Sequence, residues 1–309
     1  MSIEILNAGP LTTVQDAGRF GFLEAGIGTA GVMDRKAYLA ANRLVGNDNN
    51  EAVLEFTLFG GQIKFESDAI AAITGADMQP TVDDEAVERY RPIKISAGQV
   101  LGLGMAVKGC RAYLAVRGGI DTKPVMNSRS TDLKAKIGGF EGRKLAQGDV
   151  LKTGTVKFIN ENEMQELLSR TEEKPDFSDE VTVRVIEGPQ EEYFTAEGIK
   201  NFYSEVYKVL PESDRMGIRV SGKEVESING TDIVSDGIAF GSVQIPSSGQ
   251  PIILMADHQT TGGYAKIATV VKEDLSLLAQ LKPGNSIRFK KVDLKSVQPK
   301  KGFWRKLFG

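Results

Sequence analysis

The sequence predicts a mainly β protein with a few helices, arranged as two domains related by a diverged duplication. Three observations carry that reading. The 34 glycines punctuate short β-branched runs, helical periodicity is confined to a few stretches, and two strand-to-Gly-Pro openings are separated by an acidic, polar interval.

The β-branched runs fall at 51–65 (EAVLEFTLFGGQIKF), 69–76 (AIAAITGA), 99–107 (QVLGLGMAV) and 111–119 (RAYLAVRGG). Strands joined by tight turns produce such punctuation. Helical spacing is clearest over 34–45, where Asp34 is placed to cap, Tyr38, Ala41, Leu44 and Val45 share one face, and Gly46 stops the helix. Further helices are predicted over 161–170, about 190–203 and 272–281, the last ended by Pro283-Gly284.

From about 160 to 180 the run ENEMQELLSRTEEKPDFSDE turns acidic and carries no sustained apolar alternation, which predicts a linker. The predicted organisation is an N-terminal domain over 1–160, an acidic linker over 161–180, a C-terminal domain over 181–290 and a basic aromatic tail over 291–309. VTVRVIEGPQ at 181–190 echoes SIEILNAGPL at 2–11, ESDRMGI near 214 echoes VMDRKAY near 34, and PGNSIRF near 284 echoes AGQVLGLG near 98. A duplication accounts for all three.

Composition excludes several function classes. Lys+Arg 38 against Asp+Glu 41 leaves a net charge of -3, so the basic excess a nucleic-acid backbone demands is absent. At 41% hydrophobic and 26% charged, the chain carries enough apolar residues for an ample core. Cys110 is the only cysteine and His258 the only histidine, so neither an internal disulfide nor a structural zinc shell is expected, and no metal site is predicted. The N-terminus shows no signal-peptide pattern, and no run reaches the roughly 18 apolar residues of a membrane span, so a cytoplasmic protein is expected. The last twenty residues differ in kind, with seven Lys or Arg against one Asp, and with Phe303, Trp304 and Phe308. They read as a solvated tail or as a short amphipathic contact for a partner or an anionic membrane surface.

Two familiar patterns mislead. Gly26-Ile27-Gly28-Thr29-Ala30-Gly31 matches G-x-G-x-x-G, yet a dinucleotide site needs a buried strand feeding the loop, and the preceding VQDAGRFGFLEA is polar and glycine-broken. A glycine turn is the preferred reading. The segment from Gly217 to Glu224 approaches a P-loop, but Glu224 stands where a Ser or Thr should meet magnesium, and Ile-Arg-Val inside it favours a strand. No Walker site is expected.

Two polar concentrations remain. In Asn127-Ser128-Arg129-Ser130-Thr131-Asp132, bounded by glycines, Arg129 could grip a carboxylate or carboxyamide, with Ser128, Ser130 and Thr131 as neutral donors and Asp132 orienting the arginine or taking a proton. An ordinary surface loop with turn bonds explains the same residues. In Asp257-His258-Gln259-Thr260, directly after the apolar strand 251–256, His258 could serve as general base with Asp257 holding its tautomer, while Gln259 and Thr260 bind an amide-like group. A structural histidine satisfied by backbone is the competing reading, and neighbouring Asp and His on a strand point to opposite faces. Asp214-Arg215 and Gln15-Asp16 are further polar pairs that read as structural.

Assembled in order, GPLTTVQDAGRFGF, GVMDRKAYLAANRLVGN, LEFTLFGGQIKF, RAYLAVRGGID, SRSTDLKAKIGGFEGRKLAQGD, VIEGPQ, DRMGIRV and PIILMADHQTTGGYAKIA resemble the carboxyltransferase-subunit family. That family includes the C subunit of 5-oxoprolinase, the KipA antagonists and one half of the carboxyltransferase region of urea carboxylase. The resemblance implies two cyclophilin-like β-barrel domains. It also implies one component of an ATP-dependent 5-oxoprolinase that opens the lactam of 5-oxoproline to glutamate, working with a KipI-like subunit and a lactam-utilisation subunit, and inactive alone. ATP would serve the complex, and biotin would enter only in a carboxyltransferase alternative. A KipA-like antagonist of a KipI-like kinase inhibitor is the other alternative. On the family's distinctive polar segments, Arg129, Asp132 and His258 are the implied catalytic candidates, with Ser128, Ser130, Thr131, Asp257, Gln259, Thr260, Arg215 and Gln15 around a pocket shared with the partner.

Overall fold

The computed structural model describes residues 1–156 and 159–297. The chain is mainly β and divides into two compact units. The first comprises Met1–Asp179, Met255–Thr260 and Ser276–Lys282, and the second comprises Glu180–Leu254, Thr261–Leu275 and the chain from Pro283.

Among the described residues the first unit holds eleven strands: β1 (Ser2–Asn7), β2 (Thr12–Gln15), β3 (Val53–Thr57), β4 (Gln62–Phe65), β5 (Ala69–Asp77), β6 (Thr81–Val82), β7 (Glu85–Ala86), β8 (Pro92–Ile95), β9 (Val100–Gly102), β10 (Lys108–Val116) and β11 (Val150–Lys152). They form two hydrogen-bonded sheets, ordered β11-β1-β4-β9-β6-β7 and β2-β3-β10-β5-β8. In β1, Ile3 and Ile5 alternate with more exposed residues, as a strand with one buried face requires. Both β5 and β10 are buried along almost their whole length. Their Ile73 and Leu114 share a core with Ile3, Phe65 and Leu101, while Ala72, Tyr113 and Ala115 pack with helix α1 (Arg35–Val45). Continuous apolar character in these two strands thus reflects burial on both faces.

Helix α1 forms as the sequence predicts. Asp34 caps it by accepting from the Ala37 amide at 3.0 Å, and Gly46, at φ 71°, closes it with its own amide on the Arg43 and Asn42 carbonyls. Helix α2 (Glu161–Ser169) carries a full capping box from Asn160 and Glu163 and buries Leu167 in the α1 cluster. The interval read from composition as a linker is therefore counted, to Asp179, with the first unit. Glu161, Glu163 and Glu166 are exposed on this docked helix while Leu167 is buried, a distinction that overall composition does not encode.

The second unit is a closed seven-stranded barrel, ordered β12-β19-β16-β17-β14-β13-β20. Its strands are β12 (Glu180–Glu187), β13 (Tyr207–Val209), β14 (Gly217–Ser221), β16 (Ser242–Gln244), β17 (Ile252–Leu254), β19 (Lys266–Val270) and β20 (Ser286–Lys291), and a separate ribbon pairs β15 (Asp232–Gly237) with β18 (Thr261–Tyr264). Parallel pairing of β12 with β20 closes the ring. The barrel expectation is met as a closed ring here, whereas the first unit keeps two separate hydrogen-bonded sheets. The first five residues of the P-loop-like stretch, Gly217–Ser221, form β14.

The third predicted helix is divided. A 3-10 turn at Glu191–Tyr193 precedes α3 (Ala196–Ser204), because Phe194 is extended and Thr195 caps a new helix on the Gly198 amide. Phe202 of α3 stacks on Phe289 of β20 at 4.4 Å. The fourth shortens to α4 (Leu275–Ala279) after a 3-10 turn at Lys272–Asp274, and α5 (Leu294–Val297) follows β20. Phe303, Trp304 and Phe308 of the basic aromatic tail lie outside the described residues.

Candidate functional site

Strand β2 ends on Gln15, and the chain then carries Asp16 and Arg19 into the interior of the first unit, where all three are buried. Asp16 Oδ1 accepts from Ser128 Oγ at 2.7 Å, Ser130 Oγ at 2.6 Å and the Gly18 amide at 2.9 Å, while Oδ2 accepts from the Arg129 amide at 2.5 Å. One carboxylate therefore fixes three consecutive residues of the hydroxyl-rich loop through charge-assisted bonds. The loop's approach is strained: Met126 and Asn127 hold φ at 52° and 62°. Non-glycine residues enter that region at a cost on the order of 1 kcal/mol each, and such outliers cluster at functional sites.

Arg19 is 0% exposed. Nε donates to the Val125 carbonyl at 3.1 Å and Nη2 to the Ser130 carbonyl at 2.9 Å, whereas Nη1 is buried with no hydrogen-bond partner among the described residues. Burial lowers the guanidinium's pKa, and the charges of Asp132, Asp16 and Asp257 oppose that shift. Room for the guanidinium depends on Gly138, at φ 68°, where an added Cβ would stand 2.6 Å from Nη2 and 2.1 Å from the Ser130 carbonyl oxygen.

Asp132 uses Oδ1 to accept from the amides of Lys134 and Ala135, at 3.0 and 2.9 Å. Oδ2 receives no hydrogen bond among the described residues, and it faces the glycine segment 26–31. A Cβ placed on Gly28 would lie 3.9 Å from Asp132 Oδ2 and 3.4 Å from the His258 carbonyl oxygen. Gly28 is thus the point where the hydroxyl-rich loop and the histidine loop converge, both within the first unit. A 3-10 turn at Leu23–Ala25, not a strand, precedes this glycine segment, as its rejection as a dinucleotide fingerprint requires.

The model of the carboxyltransferase domain, subdomain A and B, matches residues 25–291. The chain belongs to this carboxyltransferase family. It is 40% identical to the 5-oxoprolinase C subunit of Escherichia coli over 297 residues, 96% of this chain and 93% of that protein. It is 33% identical to urea amidolyase of Saccharomyces cerevisiae across 93% of this chain but only 16% of that larger protein. Among solved structures, the K. lactis urea amidolyase superposes with a TM-score of 0.85 at 29% identity, covering 94% of this chain and 19% of that one.

In this carboxyltransferase-family chain the remaining predicted residues take the following places. The Arg129 guanidinium is held by the Thr122 carbonyl at 2.9 Å and by Asp121 at 3.0 Å, and Asp132 orients the backbone after it and not the arginine. Ser128 and Ser130 serve Asp16, and Thr131 Oγ1 donates to the Val14 carbonyl at 3.0 Å. Gln15 Nε2 bridges Thr13 Oγ1 and the Thr131 carbonyl, each at 3.1 Å, while its Oε1 is buried without a partner among the described residues. His258 is buried, and its Nδ1 lies 2.7 Å from the Gln259 carbonyl. A carbonyl oxygen only accepts, so that contact places the proton on Nδ1 and the backbone sets the tautomer. Burial pushes the His258 pKa down, which keeps the ring neutral near pH 7. Gln259 and Thr260 are partly exposed, and Asp257 contributes its charge at Arg19. Arg215 is a buried residue of the second unit. No group of His, Cys, Asp or Glu among the described residues could hold a metal ion.

Asp16 and Arg19 are what residue-type reasoning left aside. Their signal was a pair of opposite charges separated by Ala-Gly, directly after a four-residue strand that is wholly buried. Such charges enter a core only when paired.

Proposed function

We propose that this chain is the C subunit of an ATP-dependent 5-oxoprolinase, acting with a KipI-like subunit and a lactam-utilisation subunit to open the lactam of 5-oxoproline. The observation that carries the reading is near end-to-end correspondence with the 5-oxoprolinase C subunit, 96% of one chain against 93% of the other, where the urea enzyme shares only a sixth of its length. In the reaction the lactam C–N bond breaks, water oxygen joins the carbonyl carbon and the nitrogen leaves as the amine of glutamate. An amide is a poor electrophile, and ATP supplies the driving force by activating its oxygen. Because the P-loop-like stretch starts as a barrel strand, the nucleotide is assigned to one of the partners. Asp132, His258 and Arg129 with their loop neighbours, joined by Asp16 and Arg19, form the region offered to the substrate and the partner. A cytoplasmic location completes the reading, and no helix among the described residues is long and apolar enough to cross a membrane.

The test is reconstitution. The chain alone is expected to release no glutamate, and the mixture with its two partner subunits to release glutamate and ADP in step from 5-oxoproline. Failure of the full mixture, with all three folded, rejects the reading. Transfer of a carboxyl group from carboxybiotin by that mixture would support the carboxyltransferase alternative, which the family and the fold shared with urea amidolyase favour.

A further inference from the structure

Among the described residues of the second unit, the large apolar side chains left exposed are Tyr193, Ile228, Val234, Tyr264 and Leu294. Strand pairing and hydrogen bonds gather all of them at one end of the barrel. Strands β12 and β20 run parallel, so Glu187 and Lys291 finish at the same end, and β19 starts there from Lys266. Lys291 Nζ meets Glu187 at 2.8 Å and Glu191 at 3.0 Å, and Gln190 Oε1 accepts from the Lys266 amide at 3.1 Å. Tyr193 closes the 3-10 turn at this rim, and its carbonyl accepts from the Ile228 amide. Tyr264 and Val234 belong to the β15–β18 ribbon, which Lys266 Nζ ties to the barrel through Asp236 at 2.9 Å. Leu294 opens α5, just past Lys291.

Apolar residues scattered singly over a surface need no explanation, whereas their concentration marks a contact. Val234 is 93% exposed and Ile228 59%. The same end carries surplus carboxylates. Glu187, Glu191 and Asp236 are answered by Lys291 and Lys266, and Asp293 and Lys295 flank Leu294 with opposite charges. Glu192, beside Tyr193, and Asp232, paired across the ribbon with Tyr264, are exposed with no ion pair among the described residues. An apolar surface with unanswered acids fits a segment that is at once aromatic and basic.

The chain carries such a segment. Residues 298–309 lie outside the described residues, and their sequence QPKKGFWRKLFG holds Lys300, Lys301, Arg305 and Lys306, no acid, and four large apolar residues, Phe303, Trp304, Leu307 and Phe308. The described chain reaches Val297 at the end of α5, so this segment is attached at the end of the barrel that bears the apolar surface. Fully extended it spans up to roughly 40 Å, at about 3.3 Å per residue, some three times the radius of gyration of about 13 Å for a unit of roughly a hundred residues. Reach is therefore ample.

We infer that this end of the barrel is the docking surface for the chain's own residues 298–309, the aromatic side chains covering Ile228, Val234 and the two tyrosines while the cations face Glu192 and Asp232. Exposed ion pairs hold weakly and are screened by salt, so the apolar contacts supply the attachment and the charges fix its place. Tethering assists. A short linker gives an effective concentration in the millimolar range, so an affinity of only about 0.1 mM in trans keeps roughly nine-tenths of the segment docked. The inference does not rest on the oxoprolinase reading.

Trp304 is the only tryptophan, so its fluorescence reports on this segment alone. In the full chain its emission is expected at shorter wavelength than in the free peptide 298–309, with acrylamide quenching at least ~3-fold weaker and neither quantity dependent on protein concentration. Val234→Lys and Ile228→Lys, both at exposed positions, are each expected to raise quenching towards the value of the peptide, and Asp232→Lys to raise it by a smaller factor. Glu212→Lys serves as control. Glu212 is exposed in the turn between β13 and β14, and β13 runs antiparallel to β20 towards Ser286, so this turn lies at the opposite end of the barrel and the substitution is expected to change nothing. Circular dichroism of each variant separates a lost surface from a lost fold, and where Val234→Lys fails to fold, Ile228→Lys decides. Quenching in the full chain equal to that of the peptide, protection that both folded lysine variants leave intact, protection that rises with protein concentration as pairing between copies requires, or a blue shift that appears only with anionic vesicles overturns the inference.

Discussion

Asp16 holds the hydroxyl-rich loop because one buried carboxylate offers enough lone pairs for four donors, at 2.5 to 2.9 Å. Removing it would strand two hydroxyls and two amides, each costing about 1–3 kcal/mol if it stayed buried and unpaired. His258 solves the opposite problem, since a buried imidazole is cheapest when neutral. Its folded pKa lies below the ordinary 6.5, so the unfolded chain binds the extra proton first as pH falls. The stability this group contributes is complete above about 6.5, declines as pH falls through the window below it, and levels off under the folded pKa. Asp34, whose carboxyl is pushed up by burial, acts in the opposite sense above its ordinary 3.8, so the raw profile mixes the two. We predict that urea unfolding of wild type and His258→Gln, compared from pH 5 to 8, gives a stability difference that shrinks towards the acid end. Parallel profiles would remove His258 as the source.

At the scale of elements, α2 separates what composition says from what packing does. Its acidic and amide-bearing residues read as linker, yet Met164, Leu167 and Leu168 recur at helical spacing and meet the α1 cluster. Leu167→Ala is expected to destabilise the protein by about 2–5 kcal/mol, the range for a buried leucine, measured by chemical denaturation. A linker leucine would show a change within about 0.5 kcal/mol, and that outcome would return the segment to linker status. Helix α1 was legible from its cap, face and terminator because all three signals are local. The run over 190–203 was legible as helical but not as two pieces, since the break depends on Thr195 bonding the Gly198 amide and not on a proline or glycine.

At the scale of the whole molecule, the first unit takes back two late segments, Met255–Thr260 and Ser276–Lys282. Gln280 ties the second of them in. Its Oε1 accepts from the Cys110 and Arg111 amides, both at 3.0 Å, and its Nε2 donates to Asp34 Oδ2 at 2.8 Å and the Arg111 carbonyl at 2.9 Å. Gln280→Ala strands two buried amides and should cost about 2–4 kcal/mol in chemical unfolding, far from the surface norm of about 0.5. A loss under about 1 kcal/mol would mean that the segment is held by apolar contacts alone.

The sequence alone determined the mainly β class, the α1 cap and terminator and the two polar loops, since each is written in neighbouring residues or in counts. Tertiary structure decided that both loops meet at Gly28 in one unit, that Arg129 spends its guanidinium on Thr122 and Asp121, and that Arg19 buries a donor with no partner among the described residues. The meeting at Gly28 and the setting of Arg19 depend on segments more than a hundred residues apart arriving in contact, whereas Arg129 reaches back only seven and eight residues, and the free energy of burying a charge is set by what arrives beside it.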